Sequence, residues 1–275
     1  MSEFTIGQYY PENSIIHRLD PRVKLFGTLV FIVMLFVVNN FIGFGLMALY
    51  LIAIVKMSKI PFRKVVKGVK GIIIILILSG LLNLFFTPGH TVFHYGIFTI
   101  TSEGITRASY LIIRLVLLVL STSVMTLTTK PNDLSDGLEK AFGFLKVIRV
   151  PVHEIAMIMS LALRFIPTLM DETEKIKKAQ MARGADFETG NIFKRAKNLV
   201  PILIPLFVSS IKRAVNLAQA MEARCYNGGN RTKLHPLKYK RIDAISYVGC
   251  FVIIGSVIAL NFVVMHFLGN TFVVF

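Results

Sequence analysis

The sequence predicts an all-α polytopic membrane protein, with about five transmembrane helices and a cytoplasmic layer of long helices inserted before the last of them. Of its 275 residues, 54% are hydrophobic and only 17% are charged, against roughly 25% charged in an average soluble domain. The mean hydropathy is +0.66. Several runs stay apolar for about 20 residues, the length that crosses the hydrocarbon core of a bilayer. One water-soluble core could not bury that much apolar surface.

Basic residues outnumber acidic ones by 31 to 15, which gives a formal charge of +16. On its own, such an excess is typical of nucleic-acid binding. In a chain this apolar it indicates instead basic loops that face the cytoplasm and anionic lipid. We therefore expect a lipid bilayer, and no nucleic acid, as a partner. With two cysteines, the sequence favours neither a disulfide framework nor an all-cysteine metal site.

Four apolar stretches predict five spans. Residues 25–55 are too long for one helix, and Asn39-Asn40 interrupts them, so we expect two helices joined there by a tight turn, because amides near mid-bilayer are costly. The other three spans are predicted at residues 69–86, 105–127 and 245–268. A small outer β-hairpin is predicted at residues 92–100.

The distribution of charge orients these spans. Basic residues lie on both sides of residues 25–55, whereas residues 87–103 and the chain after Ile242 contain no Lys or Arg. Because Lys and Arg are enriched in cytoplasmic loops, we expect the N-terminus inside and the C-terminus outside. The predicted division is a cytoplasmic segment 1–24, spans 1–4 in 25–129, a cytoplasmic helical region 130–241, and span 5 with the external C-terminus in 242–275.

The region 130–241 is predicted to be mostly helical. A long helix follows Pro151, is kinked or restarted by Pro167, and stops at Gly184. A second runs over about residues 191–224. Its apolar core, residues 201–211, is short for a bilayer, so we expect both helices to lie along the membrane face.

The sequence offers little for catalysis. It contains no phosphate-binding P-loop motif, and no acidic residue lies in a confident span interior. His17 and Asp20 could form an acid–base pair, and Arg107 and Arg114 share one face of the fourth span. Three alternatives remain open on this basis: a membrane enzyme acting on lipid, an ion-coupled secondary carrier, and a permease of the ordinary ABC importer type.

Two similar segments end the two long helices, 41 residues apart. They are Ala182-Arg183-Gly184 and Ala223-Arg224-Cys225. In the simplest interpretation, each arginine complements the negative end of a helix dipole. In the other, each arginine docks into a partner, and two equivalent segments suit a partner with two similar subunits.

With these segments, the chain resembles the T component of energy-coupling factor (ECF) transporters over essentially its whole length. The resemblance includes residues 17–25, His-Arg-Leu-Asp-Pro-Arg-Val-Lys-Leu, and residues 161–167, Leu-Ala-Leu-Arg-Phe-Ile-Pro. It implies a non-enzymatic scaffold in a bacterial cell membrane, which transmits conformational change during vitamin or micronutrient uptake. The implied partners are two P-loop ATPase subunits (A and A′), which bind ATP and Mg, and membrane S components, which bind a vitamin or metal ion. This chain itself is expected to hold no cofactor, metal or catalytic residue.

The resemblance also assigns the site residues. Ala182, Arg183 and Gly184, together with Ala223, Arg224 and Cys225, are expected to dock the ATPases. Cys225 departs from the more usual Ser or Gly, but it is small, so we expect the docking role to survive. Possible contacts with the S component, or in coupling, are Met157, Met159, Arg164 and Pro167.

Overall fold

The computed structural model describes residues 9–95, 98–144, 151–187, 189, 191–226, 237 and 239–267. Their elements follow in chain order: α1 Pro21–Val37, α2 Phe41–Ser58, α3 Phe62–Lys70, α4 Ile73–Phe86, β1 Thr91–Tyr95, β2 Phe98–Thr101, α5 Ser102–Thr128, α6 Pro131–Ala141, α7 Val152–Ala182, α8 Ile192–Ala223 and α9 Arg241–Phe267. The fold is thus all-α apart from one hairpin, as predicted.

The chain divides into two compact units. We call residues 5–152 with 237–275 the membrane unit, and residues 1–4 with 153–236 the α7–α8 unit. Helix α6 packs against α1 in the membrane unit, where a side chain at Gly137 would come within 2.9 Å of Pro21. The predicted division at residues 130 and 241 concerns the two sides of the membrane, and it stays a prediction.

The predicted turn at Asn39-Asn40 is confirmed. Helix α1 ends at Val37 and α2 begins at Phe41, so the turn occupies three residues. The Asn40 side chain caps α2 by accepting a hydrogen bond from the Gly43 backbone N–H at 2.6 Å, as asparagine commonly does at this position. A side chain at Gly43 would collide with that same amide oxygen. The cap therefore requires glycine there.

The predicted span at residues 69–86 is wrong in its start and in its straightness. Helix α3 ends at Lys70, α4 begins at Ile73, and the two are bent by 60°. Helix α3 buries Val65 completely and exposes its basic residues. Cations are costly inside hydrocarbon, so a basic helix of this kind is suited to the interface and not to the continuation of a span.

Among the described residues, four helices are long and apolar enough to cross a membrane: Phe41–Ser58, Ser102–Thr128, Phe193–Ala223 and Arg241–Val264. The bent α3–α4 pair makes a fifth if it is counted as one span. Span 105–127 is thus confirmed as a helix, and so is span 245–268 up to Phe267, since residue 268 lies outside the described residues. Helix α1, with 17 residues, lies at the lower limit of a spanning length. The expectation that residues 191–224 are too short to span is wrong about length, because the unbroken helix extends well beyond its apolar core at residues 201–211.

The hairpin is also confirmed. Strands β1 and β2 pair antiparallel, with Tyr95 opposite Phe98 and Thr91 opposite Thr101. The sequence predicts the turn near Tyr95-Gly96, and Gly96 lies outside the described residues. Thr101 ends the hairpin and caps α5 by accepting from the Gly104 N–H at 3.0 Å.

Polar groups fasten the α1–α2 turn to its neighbours. The Arg114 guanidinium of α5 donates to the Val38 carbonyl and to Asn39 Oδ1, both at 3.0 Å. From α9, Asn261 accepts a hydrogen bond from Asn40 at 3.0 Å. Arg114 therefore bonds neighbouring helices, as its place on the fourth span suggested, while Arg107 lies exposed in the second turn of α5.

A second polar network holds the end of the membrane unit where α1 and α9 begin and α2 and α5 end. We call it the basic end, because Lys56, Lys59 and Lys130 lie there. The Asp243 carboxylate is 1% exposed and accepts from the Asp20 N–H at 2.9 Å and from the Lys240 N–H at 2.7 Å. Buried charges need such hydrogen bonds to be tolerated.

His17 ties the segment before α1 together. Its Nε2 lies 3.0 Å from the Tyr10 carbonyl, which can only accept, so this nitrogen carries the proton and Nδ1 accepts from the Ser14 hydroxyl at 2.7 Å. Asp20 has other partners: it caps α1 by accepting from the Arg22 N–H at 3.0 Å. The two residues have separate structural tasks, so the geometry does not support the acid–base pair.

Burial lowers the pKa of His17 below its ordinary 6.5, because a desolvated imidazolium is disfavoured. Well above pH 6.5 this residue is neutral in both the folded and the unfolded chain. Below it the unfolded chain binds the proton first, so stability falls as pH drops toward the lower folded pKa. We expect His17→Gln to remove this part of the pH dependence of the thermal midpoint. The exposed His90→Gln should leave it, and an unchanged slope in His17→Gln would contradict the assignment.

Candidate functional site

The α7–α8 unit is built on two long helices of 31 and 32 residues. Helix α7 passes through Pro167 without interruption, so of the two effects expected of this proline the restart is wrong and the kink stays a prediction. A proline removes one backbone hydrogen bond from a helix interior. Two residues before the proline, the centroid of the Phe165 ring lies 5.8 Å from the Arg213 guanidinium of α8, a contact that the local sequence does not reveal.

Side-chain contacts set the two helices antiparallel. The Tyr226 hydroxyl, just after α8, donates to the Met157 sulfur at 3.2 Å near the start of α7. Near the end of α7, Gln180 Nε2 donates to the Pro201 carbonyl at 3.4 Å. As one residue number rises, its partner's falls, so the C-terminal end of each helix lies beside the N-terminal part of the other.

Glu172 is the central link between these helices. It accepts from Arg213 at 2.8 Å and from the Ser209 hydroxyl, so both carboxylate oxygens are bonded to α8. The Arg213 guanidinium also lies 5.8 Å from the Phe165 ring centroid. Both partners of the ion pair are less than a third exposed. Sequence reasoning missed this link, because residues 41 positions apart give no local signal.

The first Ala-Arg segment closes α7 with a Schellman motif. The Ala185 N–H donates to the Gln180 carbonyl at 3.0 Å, and the Gly184 N–H donates to the Met181 carbonyl at 3.0 Å. This pattern needs one residue in the left-handed region, and Gly184 supplies it with φ of 87°. The predicted stop at Gly184 is confirmed.

The second segment closes α8 with the same motif. The Tyr226 N–H donates to the Met221 carbonyl at 3.0 Å, and the Cys225 N–H donates to the Glu222 carbonyl at 2.8 Å. Here the left-handed residue is Cys225, with φ of 58°. The two segments are therefore equivalent in backbone hydrogen bonding as well as in sequence.

Each arginine occupies the same position, the last before the left-handed residue. The six docking residues are all exposed: Ala182, Arg183, Gly184, Ala223, Arg224 and Cys225. Backbone N–H groups already satisfy the carbonyls of Gln180 and Met221. Neither the Arg183 nor the Arg224 guanidinium has a partner among the described residues. Capping of the helix ends therefore does not require these side chains.

The four other predicted contacts do not form one surface. Met157 is half-buried against the Tyr226 hydroxyl, so it packs within the unit. Met159 is exposed beside Ile155 and Ile158. Arg164 is exposed five residues further along, which at 100° per residue puts it on the opposite face from Met159, and Pro167 is exposed.

Both helices leave apolar stripes exposed. On α8 the exposed apolar residues recur every three or four positions, which places them on one face of the helix. They are Val200, Leu203, Ile204, Phe207, Val208, Ile211 and Val215. Ser209 and Arg213 lie on the opposite face and point their polar groups to α7. The sequence showed an apolar core here but not which face would stay uncovered.

Comparison with known proteins supports the resemblance. The CbiQ family model, described as cobalt transport protein, matches residues 12–235, a range that contains both Ala-Arg segments. The chain belongs to this family. Three similar proteins are each named energy-coupling factor transporter transmembrane protein EcfT. That of Thermosediminibacter oceani is 46% identical over 94% of this chain and 98% of its own length. Those of Clostridium kluyveri and Bacillus subtilis are 48% and 44% identical, over 92% of this chain and 95% and 96% of their own lengths.

Membership of this family fits the membrane-spanning helices and a transport role. It also fits a chain without catalysis of its own, since these relatives are named as transporter membrane components. The relatives' names give no substrate, and the family description names cobalt. Family membership therefore leaves the substrate of this chain to the proposals below.

The left-handed residue after each arginine yields a test of the helix ends. A non-glycine residue in this region costs on the order of 1 kcal/mol, so we expect Cys225→Gly to raise stability by about that amount. Cys225→Val should lower it, because a branched side chain suits this conformation least. Gly184→Ala is the matched control: a Cβ there meets no atom within 4 Å, so its cost is conformational alone. Thermal unfolding of the purified chain measures all three, and a destabilising Cys225→Gly would contradict the assigned backbone.

Proposed function

We propose that this chain is the membrane scaffold of an ATP-driven ECF-type importer. It transmits conformational change from two ATPase subunits to a substrate-binding S component in the membrane. ATP and Mg are bound by the ATPase partners, and no cofactor is bound by this chain. The observation that carries the proposal is the presence of two equivalent helix ends, each presenting an exposed arginine that has no partner within the part of the chain that the structure describes.

The spacing of these ends supports two separate docking partners. Arg183 follows the end of α7, beside the first turns of α8, where Asn198 donates to the Asp186 carbonyl at 2.5 Å. Arg224 follows the far end of α8. At 1.5 Å per residue, the intervening helix separates the arginines by roughly 35 Å. One groove cannot accept both side chains, whereas two similar subunits can accept one each.

The charge of α7 supports a position outside the hydrocarbon for both helices. Between residues 164 and 183, α7 and its end carry charges that cannot all be hidden: Arg164, Asp171, Glu172, Glu174, Lys175, Lys177, Lys178 and Arg183. Because Glu172 and Gln180 bond α8 along its length, α8 remains with α7 despite its apolar composition. In this proposal the two helices lie along the cytoplasmic face.

The exposed apolar stripe of α8 is then the proposed binding surface for the membrane partner. A row of branched and aromatic side chains such as Leu203, Phe207 and Ile211 is costly in water. We place the S component, which binds a vitamin or metal ion, against this stripe. Movement of the arginine-bearing ends relative to each other tilts the apolar surface on which that component rests.

The topology follows from the positive-inside bias. The N-terminus and the basic end lie in the cytoplasm of a bacterial cell, and the C-terminus lies outside. In this orientation, the α7–α8 insertion faces the side on which cytoplasmic ATPases are found.

The docking residues are tested by charge reversal. We expect Arg183→Glu with Arg224→Glu to abolish assembly, since removing one partner of a buried charge-assisted contact costs about 2–5 kcal/mol. The tagged chain is purified from its native membrane in mild detergent, and mass spectrometry identifies the proteins that come with it. Two P-loop ATPases and small membrane proteins are expected with the unmodified chain.

The matched control is Lys177→Glu with Lys212→Glu. It reverses two exposed cations on the same helices that lie outside the two closing motifs, and it should retain the ATPases. Normal complex yield in the arginine double variant would refute the docking role. Equal loss of the ATPases in both double variants would show that the effect comes from net charge and not from the two arginines.

A further inference from the structure

A cavity of about 560 Å³ opens at the basic end of the membrane unit. Its walls come from the last turns of α2, the loop into α3, and Tyr10. They combine two lysines, Lys56 and Lys59, with the apolar side chains of Ile52, Ile60 and Phe62. The volume lies within the range of small-molecule sites. The cavity lies in the membrane unit, whereas the docking arginines belong to the other unit.

The charge at this cavity is not neutralised. Lys56 and Lys59 are both exposed, and neither side chain has a hydrogen-bond or ion-pair partner among the described residues. No Asp or Glu occurs in the sequence between Asp20 and Glu103. A third cation, Lys64, lies 3.8 Å from the centroid of the Tyr10 ring. The cavity therefore favours an anion.

The position of the cavity along the spanning helices corresponds to the headgroup region of a bilayer. Helix α2 is apolar enough to span and ends at Ser58, so Lys56 lies in its last turn and Lys59 directly follows it. Helix α3 starts beside the cavity, exposes basic residues and bends by 60° from α4. A basic amphipathic helix of this kind lies at the membrane interface.

The apolar part of the lining distinguishes a lipid from a small anion. Ile52 is 60% exposed and Phe62 is 57% exposed, and both border the lysines. An inorganic phosphate makes no favourable contact with these apolar side chains, whereas the first methylene groups of acyl chains can cover them. Lysine ammonium groups bind phosphate oxygens as compact point charges.

We propose that this cavity is a binding site for an anionic phospholipid. The phosphate lies between Lys56 and Lys59, and the acyl chains follow Ile52 and Phe62 into the bilayer. Basic pockets between membrane helices recognise anionic headgroups in this way. The proposal does not depend on docking of ATPases, because none of its residues belongs to the helix ends.

The chain contains no tryptophan, which makes a clean optical test possible. Phe62→Trp places one reporter at the cavity while keeping an aromatic ring. The full chain is reconstituted in phosphatidylcholine containing brominated phosphatidylglycerol, or the reverse, and quenching gives the relative binding constant of the two lipids. We expect phosphatidylglycerol to be preferred, and Lys56→Gln with Lys59→Asn to lower this preference about fivefold per lysine.

Asparagine is chosen at position 59 because Lys59 has φ of 57°, a conformation that asparagine tolerates. Lys56→Gln alone is a second variant with a smaller expected loss, in case the double variant does not fold. The matched control, Lys67→Gln with Lys70→Gln, removes the same charge from exposed residues of α3 that do not line the cavity. It should keep the preference.

Three results would overturn the proposal. Equal quenching by both lipids would show no selectivity at the cavity. An equal loss in both lysine pairs would reduce the effect to general attraction between a basic surface and anionic lipid. Loss of the preference when millimolar inorganic phosphate is added would identify a small-anion site instead of a lipid site.

Discussion

The ion pair between Glu172 and Arg213 holds α8 to α7 and thereby determines which face of α8 remains exposed. Helix α8 is long and apolar enough to enter a bilayer, yet this pair and the Ser209 hydroxyl bind it to the most charged helix of the chain. Entry of α8 into hydrocarbon would break this pair and carry the Arg213 charge into the bilayer without its partner, which is costly. The pairing thus keeps the apolar stripe of α8 available on one face and fixes the two arginine ends far apart.

The backbone closure of the helices gives those ends a definite form. A Schellman motif binds the last carbonyls to the following N–H groups and turns the chain sharply away from the axis. The arginine before the turn therefore projects from a finished helix end, free of any capping task. At α7 glycine provides the turn without strain, and at α8 Cys225 provides it with a side chain attached.

The membrane unit is held together by polar groups at the two opposite ends of its helices. Arg114 and Asn261 bond the turn between α1 and α2, and Asp243 bonds the backbone ahead of α1 at the other end. Hydrogen bonds of buried polar groups have defined geometry and are expensive to break. They give the unit a fixed arrangement of helices, a suitable support for the proposed moving parts.

Much of this could be predicted from the sequence. Apolar runs predicted the helices of the membrane unit, the Asn39-Asn40 pair predicted the α1–α2 turn, and Gly184 predicted the end of α7. The bend before Ile73 was missed, because an apolar run of the right length hides the basic face of α3. Contacts between distant positions, such as Glu172 with Arg213, have no local pattern, and the conformation of Cys225 is unusual for a residue with a side chain.

The central claim is that the two arginine-bearing helix ends are equivalent docking sites, and photo-crosslinking tests this claim most directly. Met181 and Glu222 occupy the same place in the two closing motifs, are both exposed, and leave the arginines intact. A benzophenone amino acid at either position, irradiated in cells, should form an adduct with a P-loop ATPase subunit. The same probe at Lys212, an exposed residue of α8 distant from both ends, should not. Adducts with an ATPase from only one end, or from neither, would contradict the account.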